Sequence, residues 1–159
     1  MKNLSAIIIG GTGQYGILMG QLLLKKNYKV YITTRFNKKK KKFKKDFPKL
    51  KFLKLNIYDK QKIKNILLKI KPKLIFYFAG QSSPQLSFKK KSETLKSNYL
   101  GCKNVLDLIL ENNLNSKFLN ATSSEMYGHI FGKINLSPPK KPLNPYGKAK
   151  KKAFNLVKN

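Results

Sequence analysis

The sequence is short of several residue types, and each shortage excludes a class of site. Among 159 residues there are six acidic side chains, one histidine, one cysteine and no tryptophan. A single cysteine, Cys102, excludes an internal disulfide framework and a cysteine-cluster metal site. No apolar run approaches the roughly 20 residues that a membrane-spanning helix needs. The N-terminus has no signal-peptide cleavage pattern, so we expect a cytoplasmic protein without a membrane partner.

Basic residues dominate the charge. The 35 Lys and Arg against 6 Asp and Glu give a net charge of +29, which is typical of nucleic-acid binders. However, Arg35 is the sole arginine, and arginine is the better side chain for bidentate phosphate and base recognition. The lysines are spread along the chain, with one dense run at Lys38–Lys45. We interpret them mainly as a solvated surface, and a nucleic-acid-binding protein remains an alternative.

Strands and helices are predicted to alternate. The strands are short apolar or β-branched runs, at Ala6–Ile9, Lys29–Thr33, Lys51–Leu55, Leu74–Phe78 and Lys117–Asn120. The helices have apolar residues at helical spacing, at Gln14–Lys25, Gln61–Ile70, Glu93–Glu111 and from Tyr146 to the C-terminus. The lysine run is predicted to be a loop or a short exposed helix, and Ser137–Pro145 a loop. This order predicts an α/β protein, a doubly wound parallel sheet with helices on both faces.

A glycine motif joins the first strand to the first helix. Gly10, Gly13 and Gly16 have GxxGxxG spacing. Glycine allows a tight turn and a close backbone approach to a pyrophosphate, and the helix N-terminus then offers free N–H groups. The position predicts a Rossmann-type dinucleotide site that includes Gln14 and Tyr15, with a purely structural turn as the alternative.

The residues that follow the second and third strands indicate which cofactor is bound. The second strand ends at Thr34–Arg35 with no acidic residue nearby, whereas an acid there would bind a free ribose hydroxyl. Arg35 and the following lysines therefore favour NADP over NAD, unless Arg35 is merely a surface cation. Asn56 and Ile57 follow the third strand, where an adenine ring would lie. Asn56 either bonds the adenine edge or is a turn residue, and the sequence leaves both open.

Candidate catalytic residues follow the fifth strand. Tyr146 and Lys150 form a YxxxK pair, whose spacing places both on one helix face. A nearby ammonium favours a phenolate, so we expect Lys150 to lower the pKa of Tyr146. The segment Thr122–Gly128 adds hydroxyls and the carboxylate of Glu125 at the C-terminal end of a predicted parallel strand, where ligands bind in such sheets. The alternative is a polar loop with capping hydroxyls.

These motifs resemble the extended short-chain dehydrogenase/reductase superfamily and, within it, the GDP-mannose 4,6-dehydratase family. The resemblance covers the whole chain and rests on five motifs, Gly11–Gly16 (GTGQYG), Phe78–Ser83 with Ser87–Phe88, Asn98 with Gly101 and Asn104, Ser123–Gly128 (SSEMYG) and Pro145–Lys150 (PYGKAK). Ser83, Tyr15 and Asn56 depart from the family pattern. Family members also continue well past this length, so residues 1–159 are expected to be an NAD(P)-binding Rossmann domain incomplete at its C-terminal end, with five of six strands and no substrate domain.

The resemblance implies a lyase that converts GDP-mannose to GDP-4-dehydro-6-deoxy-mannose with tightly bound NADP. Tyr146 would take the proton of the sugar 4-hydroxyl, Ser123 would hydrogen-bond that hydroxyl, and Glu125 would remove the C5 proton. Lys150 would also bind the nicotinamide ribose. Further cofactor contacts are assigned to Ala79, Gln81 and Tyr146, and further substrate contacts to Ser82 and Ser124.

No metal is implied, and full-length relatives are expected to form homo-oligomers. Two alternatives stay open: a non-catalytic NADP-binding remnant, and another nucleotide-sugar epimerase, dehydratase or reductase of the superfamily. We expect the isolated chain to have little or no activity. Cys102 is expected to be a packing residue on a helix, and His129 a loop residue rather than a general base.

Overall fold

The computed structural model describes residues 4–129 and 141–158, except the side chain of Lys39. The described chain divides into two units. The first contains residues up to Ala79 together with Asn104–Leu119, and the second contains Gly80–Lys103 and the residues from Asn120 onward. No helix in the described part of the chain is long and apolar enough to cross a membrane.

The first unit is built on a five-stranded sheet with the order β3-β2-β1-β4-β5. Its strands are β1 (Ser5–Ile9), β2 (Lys29–Thr34), β3 (Lys51–Lys54), β4 (Leu74–Tyr77) and β5 (Lys117–Asn120). The pairs β1–β2, β1–β4 and β2–β3 are parallel. Every residue of β1 is buried, and because successive side chains point to opposite faces, both faces of this strand are covered. The predicted α/β, Rossmann-type sheet is confirmed, with each strand boundary within one residue of its prediction.

Three helices lie wholly in the first unit: α1 (Gln14–Lys25), α2 (Asn37–Asp46) and α3 (Lys60–Ile70). The Asp59 carboxylate accepts a hydrogen bond from the Lys62 N–H at 2.9 Å and so caps α3, as the sequence predicts. The lysine run is helical: it lies within α2, where Phe43 is the one apolar residue. The ring of Phe43 lies 6.1 Å from those of Phe47 and Phe52, so it ties this basic helix to the sheet.

The core of the first unit packs against one face of the sheet. Its buried members come from β1, β2, β3, β4, α1 and the turn before β3, and they are Ala6, Ile8, Ile17, Leu23, Val30, Ile32, Leu50, Phe52 and Phe76. Alternate residues of β1 and β2 supply it, which is the period of a strand. This packing holds the C-terminal ends of the parallel strands in register, and the glycine motif leaves β1 at that end.

Helices make up most of the second unit. They are α4 (Pro84–Lys89), α5 (Lys91–Leu95), a π-helical turn (Lys96–Leu100), the start of α6 (Gly101–Glu111), a 3-10 turn (Ser124–Met126) and α7 (Pro145–Lys158). Pro145 is thus the first residue of α7, a favoured helical position for proline. Residues 141–144 of the predicted loop Ser137–Pro145 have no helix or strand, as predicted, and residues 137–140 lie outside the described residues.

The helix predicted at roughly Glu93–Glu111 is present and ends at Glu111 as predicted, but it differs from the prediction in two respects. Helical structure begins earlier, at Lys91, and a π-helical turn interrupts it. The Ser97 hydroxyl donates to the Glu93 carbonyl at 2.8 Å, and the Asn98 amide donates to the Thr94 carbonyl at 3.1 Å. Because these side chains compete with the backbone for carbonyl groups, they favour a widened turn over a regular α-helix.

The glycine turn after β1 has two positions where an added side chain would overlap neighbouring backbone. Gly10 has a φ of +75°, and a Cβ there would overlap the backbone of Ala79. A Cβ on Gly16 would overlap the carbonyl of Gly11. At Gly13, in contrast, φ is −86° and an added Cβ would meet no atom within 4 Å.

We therefore expect Gly16→Ala to destabilise the protein by about 2 kcal/mol, because the turn must move to admit a methyl group. Gly13→Ala is the matched control, with an expected change within about 0.5 kcal/mol. Urea unfolding of the two variants and the wild type measures the difference. Equal stability of the two variants would contradict this account of the turn.

Candidate active site

The predicted cofactor residues of the first unit lie at the C-terminal ends of its strands. The Thr33 hydroxyl accepts a hydrogen bond from the Gly10 N–H at 3.1 Å, and the hydroxyls of Thr12 and Thr34 are 3.3 Å apart. These contacts tie the glycine turn to the end of β2. The two threonines of β2 are buried, so they support the turn from its interior side.

The start of α1 is chemically suited to an anion. Gly13 is its N-cap and has no side chain to accept a hydrogen bond, and the first turn holds no acidic residue. The first N–H groups of a helix have no intrahelical partners and carry its positive dipole end. Gln14 and Tyr15 of this turn are exposed, Tyr15 by 78%. Since the loop tip at Gly13 presents bare backbone, the residues present fit a dinucleotide pyrophosphate.

The remaining predicted cofactor residues of this unit have local contacts. Arg35 is exposed, and its guanidinium lies 4.8 Å from the centre of the Phe36 ring. The Asn56 side chain accepts from the Tyr58 N–H at 3.2 Å, so it has the turn role that the sequence left open. The Ile57 carbonyl accepts from the Asn104 amide at 3.3 Å. Contact of these residues with a cofactor stays a prediction.

The second unit brings together Ser123, Glu125, Tyr146 and Lys150. Tyr146 is buried in the first turn of α7, and burial raises the pKa of its phenol above the ordinary value of 10.0. A side-chain hydrogen bond with Ser123 acts in the opposite direction, and the charge of Glu125 raises the pKa further. The expected lowering of this pKa is therefore wrong here, because desolvation outweighs the favourable contacts.

Lys150 lies one turn further along α7 and is 6% exposed. Its ammonium is 5.7 Å from the centre of the Tyr146 ring, which agrees with the predicted shared helix face. The ammonium donates to the Ala121 carbonyl at 2.8 Å, just beyond β5. Burial lowers the pKa of Lys150, while neighbouring Cys102 raises it. The Lys150 ammonium therefore lies near the Tyr146 phenol, but it already donates a hydrogen bond to the Ala121 carbonyl.

Glu125 contacts a residue that the sequence analysis missed. Its carboxylate accepts a hydrogen bond from the side-chain amide of Asn144, whose own oxygen accepts from the Gly147 N–H at 2.7 Å. Asn144 immediately precedes Pro145 and therefore caps α7. An asparagine before a helix that begins with proline is a recognisable N-terminal signal, but nothing in the sequence pairs it with Glu125.

The segment after β4 is held by side chains of the π-helical turn. The Asn98 amide donates to the Gln81 carbonyl at 2.9 Å, and the Gln81 N–H donates to the Ser97 hydroxyl at 3.2 Å. The side-chain oxygen of Gln81 is buried and has no partner among the described residues. Ser82 and Ser124, both predicted to touch substrate, are exposed. The π-turn thus orients a segment with predicted cofactor and substrate residues.

The two remaining chemically reactive side chains have ordinary roles. Cys102 is completely buried in α6, and burial raises the pKa of its thiol to about 12. It is therefore a packing residue, as predicted. His129 is exposed and lies in a loop, also as predicted. Within residues 4–129 and 141–158, no cluster of three or more His, Cys, Asp or Glu could hold a metal ion.

The strand order, the glycine turn and the Ser–Tyr–Lys group define a Rossmann-type α/β protein of the short-chain dehydrogenase/reductase kind. The sequence profile described as GDP-mannose 4,6 dehydratase matches residues 7–159. The chain belongs to the GDP-mannose 4,6 dehydratase family. The resemblance drawn from its motifs is thereby confirmed.

Individual relatives agree with this family. GDP-mannose 4,6 dehydratase of Drosophila melanogaster is 31% identical over 169 residues, covering 97% of this chain and 42% of the relative. The Homo sapiens protein of the same name is 31% identical over 171 residues, covering 97% and 45%. The chain thus spans less than half the length of these relatives.

A solved structure shows the same fold. UDP-glucose 4-epimerase from Brucella ovis, in complex with NAD, superposes with a TM-score of 0.86 at 19% identity, covering 98% of this chain and 47% of that chain. At this level of identity, the similarity shows a shared fold only.

The raised pKa of Tyr146 gives a pH-dependent contribution to stability. The buried phenol stabilises the folded state below pH 10.0, and this contribution is lost as the pH rises through the folded-state pKa. The quantity to follow is the difference in the free energy of unfolding between the wild type and Tyr146→Phe. We expect this difference, wild type minus variant, to decrease as the pH is raised above 10.0. Urea unfolding across this range measures it, with the exposed-site variant Tyr15→Phe as control. A difference that does not change with pH would refute the burial of the phenol.

Proposed function

We propose that this chain carries the cofactor-binding and catalytic residues of a nucleotide-sugar 4,6-dehydratase acting on GDP-mannose. The observation that supports the proposal most is that Glu125 packs against the first turn of α7, which contains Tyr146: a Cβ on Gly147 would overlap the Glu125 carbonyl. Elimination of water needs a second base beside the tyrosine, whereas a simple epimerase or reductase does not. Membership of the family and the names of the relatives point to the same reaction.

Tyr146 and Ser123 would act on the sugar 4-hydroxyl. The Ser123 hydrogen bond opposes the burial that raises the pKa of Tyr146, and in its phenolate form Tyr146 would accept the hydroxyl proton as carbon 4 is oxidised. Lys150 would hold the nicotinamide ribose with the ammonium protons not donated to Ala121. A bound nicotinamide dinucleotide would supply the hydride acceptor and donor that the reaction needs.

Glu125 would carry out the step that defines a dehydratase. A ketone at carbon 4 makes the proton on carbon 5 acidic, and the Glu125 carboxylate would remove it. The electron pair left on carbon 5 forms the double bond to carbon 6 as the 6-hydroxyl leaves as water. Tyr146 has by then taken up the proton of the 4-hydroxyl, so it would serve as the acid that assists this departure. Carbon 6 would then take back the hydride removed from carbon 4, and carbon 5 would take the proton held by Glu125, which completes the 6-deoxy product.

The finer cofactor assignment is NADP rather than NAD. It is supported by the end of β2, which leads through Thr34 to Arg35 and then into the lysine-rich helix α2. A cationic surface at this point suits a ribose 2′-phosphate, and no carboxylate stands directly after the strand to bind a free 2′-hydroxyl. The proposal also includes a cytoplasmic location, and an NAD(P)-binding domain as the role of residues 1–159.

Two alternatives make different predictions about turnover. The first is a 4-epimerase, one of the other superfamily activities that the sequence leaves open. The second is a protein that binds the cofactor without catalysis. An epimerase would change the sugar without loss of water, and a binding protein would leave the sugar unchanged.

Glu125→Gln tests the proposed elimination. We expect the wild type, at high protein concentration and with NADP present, to convert GDP-mannose slowly, in line with the low activity expected of this chain, to a product lighter by one water that mass spectrometry detects. Removal of the base should slow this conversion by about 100-fold or more. Glu111→Gln, at the exposed end of α6, is the matched control and should leave turnover unchanged.

Equal turnover by Glu125→Gln and the wild type would contradict the role of this carboxylate. An isomer of unchanged mass would identify an epimerase instead. Cofactor binding without any change in the sugar would support the non-catalytic alternative.

A further inference from the structure

The side chain of Asn144 joins two parts of the second unit. It is 9% exposed, and its amide nitrogen donates to the Glu125 carboxylate. Its amide oxygen accepts from the Gly147 N–H at 2.7 Å. Both ends of one buried amide are therefore hydrogen-bonded, one to a helix N-terminus and the other to a carboxylate.

The orientation of this amide is determined by its partners. The Gly147 N–H can only donate, so the atom of Asn144 that faces it must be the oxygen. The amide NH₂ must then face Glu125, and it requires an acceptor there. A carboxylate oxygen meets this requirement, so the cap of α7 also selects which group of Asn144 meets Glu125.

Close packing brings the backbones of the two segments into contact. A Cβ on Gly147 would overlap the Glu125 carbonyl, so the backbones of the 3-10 turn and of α7 already touch. Ser123 further holds Glu125, because its hydroxyl accepts from the Glu125 N–H at 3.3 Å. Among the described residues, the side chain of Asn144 donates the hydrogen bond to the Glu125 carboxylate.

We propose that Asn144 is a positioning residue that holds the Glu125 carboxylate against the first turn of α7. Tyr146 belongs to that turn, so one amide sets the carboxylate in place beside the tyrosine. The catalytic consequence rests on the proposed function: Asn144 places the base that removes the carbon 5 proton. It does not touch the reacting atoms itself.

Asn144→Asp tests the contact without requiring any activity. Asp has nearly the same shape and caps helices as well as Asn, so a purely structural cap predicts no change. Beside Glu125, however, it places a second carboxylate where an amide donor stood. We expect the unfolding midpoint of this variant, relative to wild type, to fall as the pH is raised from about 5 to 8, because two adjacent carboxylates cannot both ionise freely.

The double variant Glu125→Gln with Asn144→Asp is the matched control for this contact. The exchange reverses donor and acceptor, so the amide introduced at position 125 can donate to the carboxylate introduced at position 144, and the pH-dependent loss should disappear. A loss of equal size in the double and single variants, or no loss in either, would overturn the contact.

Asn144→Ser tests the consequence for the reaction. Serine caps the helix, but its short side chain cannot also donate to Glu125. We expect kcat for water loss from GDP-mannose to fall about tenfold or more while KM stays within a factor of about two, since the base is misplaced but binding is untouched. Unchanged kcat would refute the positioning role.

If the wild type itself shows no turnover, the proposed function and the catalytic consequence both fail, whereas the pH-dependent stability still decides whether Asn144 holds Glu125.

Discussion

The close approach of backbone at the end of β1 is the constraint on which the first unit depends. Gly10 turns the chain with a positive φ directly against Ala79, and Gly16 begins α1 against the carbonyl of Gly11. Side chains at these two positions would separate the strand from its helix. Because the turn is built from backbone, its tip at Gly13 and the N–H groups of α1 can meet an anion at short range. Buried Thr33 and Thr34 then anchor the same turn to β2.

The second unit holds a carboxylate, a phenol and an ammonium close together in a region that is largely buried. Each has a defined partner: Glu125 has the Asn144 amide, Tyr146 has the Ser123 hydroxyl, and Lys150 has the Ala121 carbonyl. Buried polar groups are stable only when such partners are present. The same partners that make burial tolerable therefore also decide where the reactive groups lie, and this is why Asn144 gains importance beyond helix capping.

Local patterns were sufficient to predict most of the fold. The apolar run of β1, the helical spacing of α1 and the Asp59 cap of α3 each depend on neighbouring residues, and the structure confirms them. The π-helical turn was missed because Ser97 and Asn98 compete for carbonyls only once the helix is packed. The raised pKa of Tyr146 was missed for a related reason: the YxxxK spacing reveals the cation but not the burial that outweighs it. The link between Glu125 and Asn144 spans 19 residues, and no local pattern predicts it.

The central claim is that the glycine turn binds a nicotinamide dinucleotide through bare backbone at its tip. The most direct measurement is a calorimetric titration of NADPH into the wild type and into Gly13→Val, whose added side chain meets no neighbouring atom near its Cβ. We predict saturable binding to the wild type, weaker by at least about tenfold in the variant, which corresponds to about 1.4 kcal/mol, with NADH binding more weakly than NADPH. Absence of binding to a folded wild type, or equal affinity in the two proteins, would contradict the claim.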